Sequence, residues 1–394
     1  MSASEQLPNL PTESASVLGV NTYLRGLQAQ ERICRVRTPA GDQAWLVTRH
    51  KEVKALLRDR RLGRAHPEPD RAPRYIDNPM MDMLRTGEDY AAEHEIHSQV
   101  RALLSPYFAG RHIVALEPRI TAVVRERLDA IAGKTQPIDM QSEFSQPITM
   151  LMICELLGVP ESEREAFPGL VHQVSGINNA EAGQGRNALY EYFAGLAARL
   201  RADPTEGILS GLVADGVDDH HVALLGLMML HAAYGSTSSH MSIGILRLAS
   251  TPELRDQLVR DPGLVQSAVE ESLRTASPGG FTLPHYARDR IDIGGVTIEA
   301  GDLVLLDYSL ANFDDEVFED PERVDVTRTP NPHMTFAHGM WHCMGAPLAR
   351  LQLKIAFSSL LERFPGMRLA VPVSEVEGAS NRLGGELSQL PVTW

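Results

Sequence analysis

From Glu93 to Ala276 the apolar residues recur every three to four positions, a spacing that predicts helix along almost the whole stretch. The pattern breaks at Asp139 to Ser142, around Pro160 and Pro168, and across Asn178 to Gly185. Its longest run, His221 to Leu248, follows Asp218 and Asp219, and acids ahead of an apolar run favour a helix start. Further helices are predicted over His50 to Leu57 and Ala346 to Phe364. Two stretches read differently. Ile33 to Arg37 and Ala44 to Thr48 flank the turn residues Pro39-Ala40-Gly41-Asp42, which predicts a β-hairpin. Ile291 to Ile298 carries Gly294-Gly295 at its centre and predicts a second hairpin, continued by Leu303 to Leu306. Ala65 to Tyr90 and Asn312 to Met340 lack periodicity, and long loops inside compact folds are often functional. With no repeats or linker-like tracts, the chain reads as one mainly α domain over residues 1–394, with small β-sheets at its edge.

Composition narrows the partners. The 43% hydrophobic and 22% charged residues are ordinary for a globular protein. A net charge of −14 argues against nucleic acid or an anionic membrane as the main partner. The longest apolar run, Val222 to Leu230, is too short for a bilayer, which takes ~20 residues. The Pro-rich opening lacks a basic and an apolar signal region. Cys34, Cys154 and Cys343 are far apart and odd in number, which fits a reducing compartment rather than a disulfide framework. A soluble, cytoplasmic protein is expected.

One thiol stands apart. Cys343 lies in Phe336-Ala-His-Gly339-Met-Trp341-His-Cys343-Met-Gly345-Ala-Pro347, just ahead of a predicted helix. A helix N-terminus favours thiolate, and thiolate either binds metal or attacks an electrophile. A lone intracellular cysteine is more commonly core filler. Against that stand the two glycines, which let the backbone approach the sulfur, and Pro347, which suits a first helical turn.

Phe336-x-x-Gly339-x-x-x-Cys343-x-Gly345 resembles the haem-binding loop of the cytochrome P-450 superfamily, and Ala346 to Arg350 is similar to its bacterial members. The resemblance implies haem b (iron protoporphyrin IX) with Cys343 as the thiolate ligand of iron. It implies the fold too: helical, with haem buried between the long central helix and the cysteine loop. Glu271 and Arg274, three apart on one helix face, resemble the family's Glu-x-x-Arg pair, and Arg323 matches the arginine that completes a structural triad. His97 and Arg101, one turn apart, match positions at the haem propionates, where a planar guanidinium suits a carboxylate. Two further propionate positions depart from the pattern: His285 stands where Arg is common, and Trp341 where His is common. Fewer positive charges than usual are therefore expected there. Ala233, Phe336 and Gly345 complete the implied haem contacts.

The segment Ala232-Ala233-Tyr234-Gly235-Ser236-Thr237 corresponds to the helix over the haem, with Ser236 and Thr237 as catalytic hydroxyls. The usual acid is missing, because Gly235 holds its position. Proton delivery then falls to hydroxyls, water or the substrate. Without the acid, the segment is similar to members that couple aromatic rings of cyclic dipeptides, as are Ala44 to Val47, Asp59-Arg60-Arg61 and Leu390 to Trp394. Radical C–C or C–N coupling of such a substrate is the expected reaction. Regioselective hydroxylation of a natural-product scaffold is the alternative, and a non-catalytic haem sensor the rival of another class. Met83, Ile177, His231, Tyr234, Gly235, Phe281 and Leu283 are the candidate substrate contacts. Dioxygen and an external ferredoxin with its reductase are the implied partners, with neither nucleic acid nor membrane.

Overall fold

The computed structural model describes residues 7–11, 17–78, 81, 89–165, 167–174, 179–276, 283–378 and 386–394. The chain forms two compact units, Met1–Arg101 with Leu273–Cys343, and Ala102–Ser272 with Met344–Trp394. The fold is mainly α. Its helices include α1 (Glu93–Leu104), α2 (Gln146–Leu157), α3 (Asp219–Ser250), α4 (Val265–Thr275) and α5 (Ala346–Arg363), and candidate residues lie on α1, α3 and α4. No helix among the described residues is long and apolar enough to cross a membrane.

In the second unit, α3 starts as its acids predict. The Asp218 side chain accepts the His221 backbone N–H at 3.0 Å, capping an uninterrupted 32-residue helix. Most of its positions between Val222 and Ala249 are buried, as expected of a helix that is apolar on nearly every side. Gly244 is needed for close packing, since a Cβ there would come within 2.1 Å of the Phe357 ring on α5. Arg350, also on α5, makes a bidentate pair with Glu270 of α4 at 2.8 and 2.9 Å. The break predicted at Asp139 to Ser142 is a turn of π-helix over Gln141–Ser145. Just before it, Ile138–Asp139 pairs with Pro391–Thr393, which pairs in turn with Arg368–Leu369. Trp394 then stacks on Phe364 with ring centroids 3.9 Å apart, so the terminal segment has a packing role of its own.

The first unit holds the larger sheet. Its strands are β1 (Ile33–Arg37), β2 (Gln43–Val47), β3 (Leu62–Gly63), β4 (His285–Ala287) and, after the separate hairpin β5 (Ile291–Ile293) and β6 (Val296–Ile298), β7 (Leu303–Leu306). The order is β1-β2-β7-β4-β3. Both hairpins form with the predicted pairing. Leu303 to Leu306 does not continue the second one, however. It is an inner strand, parallel to β2 and antiparallel to β4, with all four residues buried. A strand covered on both faces reads as an unbroken apolar run, so its pairing partner leaves no trace in the pattern.

The aperiodic segment after Asn312 is held by a buried charge. Arg274 is fully buried, and its guanidinium donates to the carbonyls of Asn312 (2.9 Å), Pro321 (2.8 Å) and Arg323 (3.2 Å). Its flanks lie against the rings of Phe313 and Phe318. Asn312 extends the network: its Nδ2 donates to the Arg274 carbonyl at 3.2 Å and to Thr335 Oγ1 at 3.0 Å. Its Oδ1 accepts the Met334 N–H at 2.6 Å. The expectation that the Arg323 side chain joins Glu271 and Arg274 is corrected in its detail. Glu271 and Arg274 are buried, but Arg323 is exposed and takes part through its carbonyl. The meander's neighbouring cation, Arg328, donates to the carbonyls of Glu319 (2.9 Å) and Asp320 (3.3 Å). Five residues past Met334, Gly339 adopts φ +63°, and a Cβ there would lie 2.9 Å from the Leu57 carbonyl oxygen.

Replacing Arg274 by Ala strands three carbonyl acceptors, a loss of about 3–5 kcal/mol by analogy with a broken buried pair. The denaturation midpoint is expected to fall accordingly, and a loss below about 1 kcal/mol would contradict the network's role. Gly339→Ala is expected to cost about 2 kcal/mol or more, from left-handed strain plus the contact with Leu57. Gly366→Ala, which has open space around it, serves as the control in the same titration.

Candidate active site

Exposure separates the three thiols. Cys34 and Cys154 are buried, and burial pushes their thiols up to about 11 and about 12, so neither is thiolate at neutral pH. Cys343 is exposed, three residues ahead of α5. Its backbone N–H donates to the Phe336 carbonyl at 2.8 Å, closing the loop between the two residues the motif names. Within that loop Ala337 and Gly339 both have positive φ, at 55° and 63°. Pro347 stands in the first turn of α5 as expected. Gly345 caps the helix with φ −74°, a conformation open to any residue.

Beside this loop Trp341 is the hub of an aromatic and basic cluster. His97 on α1 lies 4.6 Å from its ring centroid, His285 on β4 5.6 Å, and His94 on α1 6.0 Å. Arg101, one turn beyond His97, donates to the His342 carbonyl at 2.7 Å and ties α1 to the cysteine loop. Thus His97, Arg101, His285 and Trp341, four residues from three distant stretches of sequence, do come together.

Two members were not foreseen. His94 shares the α1 face with His97 and Arg101, and its spacing of three from His97 was a readable signal. Arg64, directly after β3, places its guanidinium carbon 4.6 Å over the Trp341 ring. A strand of two residues leaves no periodicity, so nothing in the sequence pointed Arg64 here. It adds a guanidinium beside the expected residues.

The cluster is short of hydrogen-bond partners. The Arg64 Nε, Trp341 Nε1 and His97 Nδ1 are buried without one, and the His285 ring faces the Leu283 main chain. Burial, then the Arg64 charge, lowers His285 to about 3. Burial, then Arg64, Arg101 and His94, lowers His97 to about 4. Both rings are therefore neutral at pH 7. Buried donors without acceptors are rare in native proteins. An exposed thiol beside a basic, donor-rich cluster fits a ligand with a metal at its centre and an anionic edge, and haem with its two propionates has that form.

In the other unit, Met228, Ala232 and Ser236 are the exposed stripe of α3, four residues apart, in a helix otherwise buried along most of its length. Ala233, Gly235 and Thr237 are partly exposed beside them. The Ser236 hydroxyl donates back to the Ala232 carbonyl at 2.7 Å. Tyr234 departs from its expected role. Two residues from Ala232, at about 100° per residue, it faces the other side of the helix. There it is buried and lines a cleft of about 490 Å³ with Arg119, Gln146, Met150 and Arg164. His231 and Leu283 are half-buried, and burial lowers the His231 pKa. Met83, Ile177 and Phe281 lie outside the described residues.

Comparison with known proteins agrees with this geometry. The family profile for cytochrome P-450 matches residues 263–370, which include Glu271, Arg274 and Cys343. Pentalenolactone synthase of Streptomyces exfoliatus is 37% identical, over 99% of this chain and 100% of its own length. Mycinamicin IV hydroxylase/epoxidase of Micromonospora griseorubida is 35% identical, over 93% and 94%. Among solved structures, substrate-free cytochrome P-450 PimD, a polyene macrolide antibiotic pimaricin epoxidase, superposes with a TM-score of 0.92. It is 40% identical and is matched over 99% of this chain and 100% of its own. This chain belongs to the cytochrome P-450 superfamily and is a haem-thiolate monooxygenase.

Proposed function

We propose that the enzyme oxidises an apolar secondary-metabolite scaffold, inserting an oxygen atom by regioselective hydroxylation or epoxidation. The observation that carries this reading is the exposed stripe of α3, where Met228, Ala232 and Ser236 offer apolar and small surface with no carboxylate. The named activities of the relatives, epoxidation and hydroxylation of natural products, support the same class of chemistry. Thiolate-ligated haem, when bound, activates dioxygen with two electrons and oxidises an unreactive C–H bond or alkene. The reading takes residues 1–394 as one catalytic domain working in the cytoplasm, with electrons from a ferredoxin and its reductase.

The chain's own residues have these roles in the proposal. Cys343 ligates the iron. His97, Arg101, His285 and Trp341 hold the carboxylate edge, while Phe336, Ala233 and Gly345 give the ring close apolar walls. Thr237 donates to the oxygen side. Ser236 contributes less there, since its proton is directed to the Ala232 carbonyl. His231, Gly235 and Leu283 contact substrate. Glu271 and Arg274 hold the core.

A second reading, coupling of aromatic rings in a cyclic dipeptide, is favoured by one feature. Gly235 leaves no acid beside the hydroxyls, so an N–H or O–H of the substrate becomes the nearest hydrogen source.

Two measurements decide these points. The reduced, carbon monoxide-treated enzyme is expected to show the Soret band of thiolate-ligated haem. Cys343→Ser should abolish it while Cys34→Ser and Cys154→Ser keep it, and a band that survives in Cys343→Ser rejects the ligand. Turnover under isotopically labelled dioxygen is expected to yield product carrying one labelled oxygen. A product with a new C–C or C–N bond and no added oxygen supports coupling instead.

A further inference from the structure

Among the described residues the Arg64 guanidinium makes no ion pair with a carboxylate. The acid whose charge reaches it, Glu93, is hydrogen-bonded elsewhere. Its Oε1 accepts the backbone N–H of Arg64 at 2.6 Å, and its Oε2 is paired with Arg288 Nη1 at 2.7 Å. Among the described residues the guanidinium itself meets no carboxylate. Its Nε is closed to solvent and makes no hydrogen bond. What it does have is the face of Trp341, 4.6 Å away. A cation–π contact orients a guanidinium, but it does not replace a counter-ion for a buried charge. Around the same indole the Trp341 Nε1 and His97 Nδ1 also lack partners. Donors converging after β3 and from α1 and the cysteine loop, with Glu93 already held by Arg288, define an anion site.

We propose that Arg64 is the counter-ion of the haem carboxylates, held in line by the face of Trp341, and that it replaces the positive charge missing at His285 and Trp341. This rests on the haem-thiolate reading above. A planar guanidinium suits a carboxylate bidentately while its flat face stays on an aromatic ring. Trp341 can serve both partners, its face to Arg64 and its N–H to the carboxylate. With Arg101, two guanidiniums then balance two carboxylates, and His97 and His285 need carry no charge.

The test exchanges one group on each side of the contact. The full-length enzyme, wild type and Arg64→Gln, is loaded with haem or with haem dimethyl ester, and the rate of pigment transfer to apomyoglobin is followed. Arg64→Gln is expected to speed loss of haem about ten-fold or more, while changing loss of the ester by less than about two-fold. Equal acceleration of both pigments means that Arg64 acts on the fold alone, and no acceleration of either means that it does not face the carboxylates. Each result overturns the proposal. Should Arg64→Gln not fold, Arg64→Lys decides by the same comparison: it keeps charge but loses the planar fork, so haem loss is still expected to accelerate more than ester loss. A wild-type enzyme lacking the thiolate Soret band removes the cofactor reading, and the inference with it. A normal band with equal haem loss in every variant removes the inference alone.

Discussion

A buried guanidinium is among the costliest groups a fold can contain unless its donors are satisfied, and this fold spends one on Arg274. Its donors are satisfied by main-chain carbonyls of Asn312, Pro321 and Arg323, all in a stretch without regular secondary structure. The dependence is mutual. Carbonyls of an irregular, buried segment have no ladder to satisfy them, so they need a donor with several N–H groups in a fixed plane. Asn312 then passes the constraint forward to Met334 and Thr335, directly before Phe336. Irregular backbone is thereby made as determinate as a helix, which a thiol loop that must present one sulfur requires.

The loop itself is under conformational constraint. Ala337 and Gly339 both occupy the left-handed region, and the second is pressed against the Leu57 carbonyl. A short loop that reverses twice and returns to bond Cys343 N–H to Phe336 leaves few other paths for the chain. Strain of this kind persists only where surrounding packing over-determines the backbone. Here the surroundings are the apolar cluster around Val53, Leu56, Leu57, Met334 and Trp341. The same cluster that fixes the loop also fixes the indole to which Arg64, His97 and His285 are referred.

What could be read from the sequence follows from the range of the interaction. The Asp218 cap, the two hairpins and the helix after Cys343 depend on neighbours a few residues away, and their patterns announced them. The cysteine motif was legible because a thiol and two glycines at fixed spacing have few other uses. Arg323 was misjudged in detail because its contribution is a backbone carbonyl, which every residue carries. Leu303 to Leu306 was paired wrongly because both its neighbours come from distant stretches. Tyr234 was assigned to the wrong side because a helix that is apolar all round does not declare which face looks where. Arg64 was invisible because it follows a strand of two residues, and only the tertiary fold brings it to Trp341.

The chain departs from its family's pattern at His285 and Trp341 on one hand and at Gly235 on the other, and the departures differ in kind. At position 341 an indole replaces the usual imidazole, and the structure supplies a guanidinium lying on that indole. The ring that removes a charge also provides the face on which another charge rests, so the two residues form one compensated change. At Gly235 no such exchange is evident on α3. The neighbouring hydroxyl of Ser236 is turned to its own helix, and the pKa of His231, one turn earlier, is lowered by burial. Compensation at one site and its absence at the other imply different demands. The edge that retains the cofactor tolerates a new arrangement only if charge is balanced, because an unpaired buried carboxylate weakens binding of any haem. On the proposed reading α3 carries no such requirement, since proton donors there can be drawn from water or from the substrate. On that same reading, the haem edge keeps its charge balance through Arg64, and the missing acid on α3 is left for water or the substrate to make good.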